Sequence, residues 1–240
     1  MDFKIPTRVL PLLEQVDRLY TSEVQPRAEA LRHRLTNRDE YLDTDGRIHP
    51  EVQQARREIM AASGQAGLYS LHLPKGIGGG GLSRTEMFFV EEKVYSYGIG
   101  LNPAMLSWTD GATPRLLFCT AHQREQYVDP LVRGEKTSFN AVTEPHAGSN
   151  FFDFTTRAVR KGDQWVLNGH KAFITNAFEA DIANVFAVTD PGQGRQSFSY
   201  FQFDTKAHVG RGYRTGQLYQ TMFDDGLTGE LFCEDLVLPD

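Results

Sequence analysis

Cysteine is scarce in this chain: Cys119 and Cys233 are the two thiols in 240 residues. A disulfide framework needs more than one distant pair, so both read as buried or half-buried thiols in a reducing compartment. Long apolar runs are missing too. No stretch approaches the ~20 residues that cross a bilayer. The N-terminus, MDFKIPTRVLPLLEQVDRLY, has neither the apolar centre of a signal peptide nor the Arg/Ser-rich character of a transit sequence. No membrane partner is expected, and the cytoplasm is the default location. Clusters of Lys and Arg are absent, and the formal net charge is −6, which argues against a nucleic-acid partner held through phosphates. The seven histidines are scattered without H-x-x-x-H spacing, and there is no C-x-x-C, so no metal site is expected. No G-x-S-x-G elbow supports a hydrolase triad.

What is present falls into two halves with different periods. Val9, Leu13, Val16, Tyr20 and Val24 recur at helical spacing and predict a long first helix, which Pro26 should end or kink. Pro50 opens a second helix with Val52, Ala55, Ile59 and Met60 as its apolar stripe, closed by Gly64 and Gly67. Ser83 and Glu86 form a capping box ahead of a third helix that Gly98 stops. Thr113-Pro114 opens another, and Thr120 with Gln123 caps QREQYVDPLVRG, which Gly134 ends. From about Thr137 the pattern alternates with period two. TSFNAVT, TTRAVR, QWVLNG, KAFITN, NVFAVTD, FSYFQFD and ELFCEDLVLP read as strands. Lys161-Gly162-Asp163 and Asn168-Gly169 read as hairpin turns. The expectation is an α+β chain: a helical domain over 1–136, then a small β-barrel or sandwich domain over 137–240.

The run Gly76–Gly81 contains G-x-G-x-x-G. It lacks the preceding strand and the later acidic residue of a dinucleotide fingerprint, so a tight interhelical loop is the expectation. The informative stretch is Phe139–Asp190. Val142-Thr143-Glu144-Pro145 puts a hydroxyl and free backbone N–H groups at a strand end, and Ala147-Gly148-Ser149 lets the backbone approach a ligand closely. Backbone amides beside a serine hydroxyl suit an anionic group such as a pyrophosphate. Phe173-Ile174-Thr175 adds a flat aromatic beside another hydroxyl. The combination suits a planar heterocycle with polar edges, although a plain β-barrel core explains most of it equally.

The same stretch resembles the middle-domain signature of the acyl-CoA dehydrogenase family: T-E-P-x-A-G-S-D, then G-D-x-(Y/W)-x-(L/I)-N-G-x-K-x-(F/W)-I-T-N-(G/A), then A-D. Here Thr143–Asn150 reads TEPHAGSN, Gly162–Asn176 reads GDQWVLNGHKAFITN, and Ala180-Asp181 follows. LPKGIGGGGLS, HQREQYVDPLVRGEK and GELFCEDLVLP extend the likeness over essentially the whole chain. Departures are Asn150 for the usual Asp, Ala177 where Gly is common, and Asn140 where an aromatic is common.

The resemblance implies FAD as cofactor and oxidation of an acyl-CoA thioester to the trans-2-enoyl-CoA. A glutamate takes the α-proton and hydride passes to flavin N5. It implies that backbone around Asn140, Ala141 and Val142 flanks the pyrimidine end of the ring. Thr143 and Thr175 lie near its polar edge, Phe173 packs near it, Ile174 is a further cofactor-binding position, and Gly148 and Ser149 approach the diphosphate, Ser149 also the acyl-CoA. It implies an electron-transfer flavoprotein or similar acceptor and a homo-oligomer. In the family a C-terminal helical domain carries the base, so the resemblance implies a chain that stops short of it, with no catalytic residue here and Glu144 structural. An inactive partner subunit, or an acyl-CoA oxidase or nitroalkane oxidase of the same fold, remains an alternative.

Overall fold

The computed structural model describes residues 4–98, 100–107, 111–219 and 228–240. It divides into two compact units, Met1–Lys136 and Thr137–Asp240. Among the described residues no helix is long and apolar enough to cross a membrane.

Unit one is helical. Its first helix does not stop at Pro26. Leu10–Leu19 is α-helical, Tyr20–Val24 forms a π turn, and α-helix resumes over Gln25–Ala30. Proline brings no N–H, and its ring collides with the carbonyl four residues back. In the wider turn the Gln25 N–H donates to the Tyr20 carbonyl five residues back, so the chain passes the proline as a helix. The same device recurs where a π turn, Arg124–Val128, precedes Asp129–Val132 with its Pro130. The helix Pro50–Gln65 buries Val52, Ala55, Ile59 and Met60. Gly64 sits inside that helix instead of closing it; Gly67, at φ 72°, is the left-handed stop. Helix Arg84–Tyr95 opens with both bonds of the Ser83–Glu86 capping box. Thr120 and Gln123 make a second box. Thr113-Pro114 opens a 3-10 turn, Pro114–Phe118, instead of an α-helix. In the glycine run, Lys75–Ile77 is a 3-10 turn. A Cβ on Gly79 would lie 2.2 Å from the Leu73 carbonyl oxygen, so the glycines there serve chain packing.

Among the described residues unit two is one mixed sheet of seven strands: β1 Ser138–Ala141, β2 Arg157–Lys161, β3 Gln164–Ile174, β4 Ile182–Val188, β5 Phe198–Asp204, β6 Tyr213–Leu218 and β7 Gly229–Pro239. The order is β1-β4-β2-β3-β7-β6, with β5 also paired to β4. β1 runs parallel to β4, while β2–β3, β3–β7, β4–β5 and β6–β7 are antiparallel. β1 and β3 stand three places apart in this order, yet the Ala172 N–H donates to the Thr143 carbonyl at 3.0 Å. The sheet therefore curls into a half-barrel, and among the described residues no second sheet packs on it. Its concave core holds Phe139, Leu167, Ile174, Val185, Phe203, Tyr213, Leu231 and Leu236.

Two local expectations are corrected. Asn168-Gly169 is not a turn; it lies within β3, and QWVLNG and KAFITN are one strand. A Cβ on Gly169 would fall 2.3 Å from Thr156 Oγ1, so this glycine admits a neighbouring chain. β6 was absent from the expected strands, because YRTGQL carries a glycine and little alternation.

In unit one, a Cβ on Gly64 would lie 1.9 Å from the Arg133 carbonyl oxygen. Gly64→Ala, although it improves helix propensity, should destabilise the protein by about 1–3 kcal/mol. Denaturant unfolding checks this; an unchanged midpoint would show that the Arg133 backbone withdraws freely.

Candidate functional site

β3 and β7 pair across eleven residues each, but not evenly. The register runs from Lys171↔Leu231 to Ile174↔Gly229, three residues on β3 against two on β7. The extra residue is a β-bulge, a device that re-aims a side chain. Phe173 lies in it with φ 57°. Its neighbours Ala172 and Ile174 are buried, while Phe173 itself is 61% exposed. The bulge thus turns a large aromatic outward at the strand end where the sequence placed a cofactor platform.

Beside it, β1 ends in the segment Val142–Thr143, which is fixed from beneath by a buried ion pair. Lys171 Nζ stands 2.9 Å from Glu144 Oε1 and donates to the Val142 carbonyl at 2.8 Å. Both side chains are fully buried. Glu144 Oε1 also accepts the Thr156 N–H at 3.0 Å, and Oε2 accepts the Thr155 N–H and hydroxyl at 2.8 and 2.9 Å. Lys171 also lies 4.6 Å from the centre of the Phe154 ring, a cation–π contact. Burial alone would raise the Glu144 carboxyl. Hydrogen bonds from Thr156 and Thr155 and the Lys171 ammonium outweigh it and hold the carboxyl at about 2. Burial pulls the Lys171 ammonium down, and Glu144 opposes that pull. Four donors occupy this carboxylate, so it has no free position from which to accept a substrate proton.

From Glu144 the chain makes a tight turn. Glu144 N–H donates to the Ala147 carbonyl at 2.9 Å, and Ala147 N–H donates back at 3.1 Å. Gly148, Ser149 and Asn150 follow, all exposed. A Cβ on Gly148 would meet nothing nearer than Thr143 Cγ2 at 4.0 Å, so its backbone is open to approach. Asn150 Oδ1 accepts the Phe152 N–H at 3.3 Å, and its Nδ2 donates to Asp153 Oδ2 at 2.8 Å. An aspartate could make the first bond but not the second, which accounts for this departure from the usual Asp.

The expected site residues fall into two groups. Thr143 is half-buried beside Gly148, Ser149 and Thr175 are exposed, and Phe173 projects from the bulge. Among the described residues the hydroxyls of Thr143, Ser149 and Thr175 make no hydrogen bond. Ala141 and Ile174 point into the core, at 0% and 2% exposure, so they can offer a ligand only backbone. Asn140 and Val142 are half-buried; among the described residues, buried Asn140 Oδ1 has no partner. An outward aromatic, three unengaged hydroxyls, an open glycine backbone and an orphaned acceptor suit a flat, polar-edged cofactor such as FAD. Lys171 was not among the anticipated site residues. The signal was present: it lies four positions after the core residue Leu167, a lysine where β3 should be apolar. Tyr219, whose ring stacks on Phe173, carried no sequence signal. Cys233 is buried, which pushes its thiol up to about 12 and leaves it inert. Among the described residues no three His, Cys, Asp or Glu side chains converge on a metal position.

Comparison with known proteins is consistent along the chain. Residues 11–135 match the acyl-CoA dehydrogenase N-terminal domain, and residues 140–236 match the acyl-CoA dehydrogenase middle domain. Cyclohex-1-ene-1-carbonyl-CoA dehydrogenase of Syntrophus aciditrophicus is 36% identical over 177 residues, 72% of this chain and 42% of that protein. Caffeyl-CoA reductase-Etf complex subunit CarC of Acetobacterium woodii is 32% identical over 186 residues, 76% of this chain and 48% of that protein. The structure of a Bacillus anthracis acyl-CoA dehydrogenase complexed with FAD superposes with a TM-score of 0.71 at 25% identity, covering 99% of this chain and 38% of that one. The chain thus spans less than half the length of these two curated relatives.

The buried pair makes two outcomes measurable. Lys171→Met leaves Glu144 charged and uncompensated and should cost about 3–5 kcal/mol in denaturant unfolding. Lys171→Met combined with Glu144→Gln should cost less than the single change, because no unpaired charge remains. Because the Glu144 carboxyl is depressed in the fold, its contribution is complete above the ordinary value of 4.5 and is lost as pH falls through about 2. Wild-type stability should fall over that interval more steeply than that of the double variant, as read by unfolding at a series of pH values.

Proposed function

Because this chain belongs to the acyl-CoA dehydrogenase family, we propose that it holds FAD on its β unit for the α,β-dehydrogenation of an acyl-CoA thioester to the trans-2-enoyl-CoA. The bulge at Phe173 carries this reading: it sets an exposed aromatic on a rigid strand beside unengaged hydroxyls and an open glycine. Such a placement has little to do with core packing and suits a planar ligand.

In this reading the backbone of Asn140, Ala141 and Val142, with that of Ile174, flanks the pyrimidine end of the ring. Thr143 and Thr175 offer hydroxyls to its polar edge, and Phe173 packs near it. Gly148 and Ser149 serve the diphosphate, with Ser149 also toward the acyl-CoA. Bound there, the flavin supplies the two-electron acceptor for hydrogen leaving the β-carbon. The protein's contribution is placement, and Lys171 maintains it by fixing the Val142 carbonyl. Glu144 has no part in taking the α-proton, since all its acceptor positions are engaged. The partners proposed are an acyl-CoA, an electron-transfer flavoprotein or similar acceptor, and further copies of the protein. The relative that is a subunit of a reductase–Etf complex supports the second of these. A cytoplasmic location goes with this reading.

Titration with FAD, followed by quenching of flavin fluorescence, should saturate, and Thr175→Val should weaken binding. One hydrogen bond to a ligand contributes about 0.5–1.5 kcal/mol, a factor of about 2–12. Addition of saturated acyl-CoA thioesters with an electron-accepting dye, to the protein that carries this sequence, tests the reaction. A protein that does not bind FAD would overturn the proposal, and an unchanged Thr175→Val affinity would remove that hydroxyl from the site.

A further inference from the structure

Taking Phe173 as the aromatic platform of the flavin site, as proposed above, a second question is what holds its ring. Both neighbours of β7 bulge at the same height. On β3 the pairing moves from Lys171↔Leu231 to Ile174↔Gly229, and on β6 from Thr215↔Leu231 to Leu218↔Gly229. Each neighbour uses three residues where β7 uses two, so the bulges face each other across Glu230. From β3 comes Phe173, and just past the end of β6 comes Tyr219. Their rings stack with centroids 4.8 Å apart and planes 22° from parallel.

Tyr219 is held at both ends. Its N–H donates to the Thr228 carbonyl at 2.8 Å, and its phenol donates to Glu230 Oε1 at 2.5 Å. Glu230 Oε2 accepts the Gln217 N–H at 3.3 Å, and His170 Nε2 lies 3.4 Å from Oε1. A Cβ on Gly216 would come within 2.8 Å of Glu230 Oε2 and 2.6 Å of Phe232 Cε2, so glycine lets the carboxylate lie against the bulged strand. The Tyr219 hydrogen bond draws the Glu230 carboxyl down. Burial, with that same bond, pushes the Tyr219 phenol up to about 12, so it stays a donor at neutral pH. Phe173 needs such support, because a left-handed φ is strained for a residue with a Cβ and Phe173 is mostly exposed.

We propose that Tyr219, clamped by Glu230, is a positioning residue that backs the Phe173 ring and holds it in the orientation the flavin meets. Neither residue contacts the reacting atoms in this account; both act through Phe173.

The first test needs no cofactor. With phenylalanine labelled selectively in the whole protein, NMR should show a ring-current shift at Phe173, identified by its loss in Phe173→Leu. Tyr219→Phe keeps the stacked ring but loses the bond to Glu230, so it should reduce the shift as Glu230→Gln does, and Tyr219→Leu should lose it. Glu230→Gln keeps both rings, weakens the clamp and should reduce the shift without changing the far-UV circular dichroism, which covers the case in which Tyr219→Leu does not fold. In parallel, FAD affinity should fall about threefold to tenfold in Tyr219→Leu, with only part of it restored in Tyr219→Phe, which keeps the ring but not the clamp. A wild-type shift and wild-type FAD affinity in Tyr219→Leu, or an unchanged shift in Glu230→Gln, overturns the inference. Unchanged FAD affinity in Phe173→Leu would instead overturn the flavin reading of the platform, while the ring-current series still decides whether Tyr219 orients Phe173.

Discussion

A single buried ion pair joins three parts of the β unit that are distant in sequence. Glu144 begins the turn that leads to Gly148 and Ser149, Lys171 lies near the end of β3, and Thr155 and Thr156 lead into β2. In water these groups would be fully solvated; inside the half-barrel each is satisfied only if all three segments arrive in register. The pair is a demanding way to hold a loop, because burying two charges costs several kcal/mol per ion before their attraction offsets it. Its return is definition. The Val142 carbonyl, which takes a further bond from Lys171, has one position and not a range of them. The candidate site therefore rests on a frame whose failure is cooperative.

One departure from the family pattern, Asn150, follows the same logic of local completion. Asn150 supplies both an acceptor and a donor to the turn that carries Phe151 and Phe152. Those two aromatics join Phe154, Phe186 and Phe198 in a connected group of rings over β4 and β5. The turn is thus fastened by a polar bond at its base and by ring contacts along its length. At Asn140 the substitution leaves an acceptor without a partner among the described residues. The structure of the protein itself offers no explanation for it.

Much of the fold was legible because its signals are local. A capping box needs two residues three apart, and both of those expected here form. The Lys161–Asp163 hairpin is likewise written in adjacent residues. What was not legible depends on neighbours that the local sequence does not name. Gly64 and Gly169 look like breakers and are in fact clearances, for the Arg133 backbone and the Thr156 side chain. Pro26 looks like a stop or a kink, and the turn before it widens to let the helix continue. At the candidate site the exposed hydroxyls and the glycine could be picked out from their motif. The bulge that turns Phe173 outward depends on the register of β3 against β7, which no window of β3 alone contains. Tyr219 reaches Phe173 from past β6, a strand the alternation pattern did not reveal.

The two π turns leave a record of length in the helical unit. Each holds one residue more than the α-helical path needs, and each lies immediately ahead of a proline. One residue corresponds to ~100° of rotation about a helix axis. Relative to an uninterrupted α-helix, every side chain beyond such a turn therefore faces a different direction. Chains that gain or lose a residue within Tyr20–Val24 or Arg124–Val128 would keep the same helix axis while turning a different stripe toward the core. Alignments that tolerate gaps only in loops would misplace that change, shifting it to the nearest loop and misassigning the buried residues between. In comparisons of this helical unit with longer or shorter kin, the insertion point belongs inside the helix.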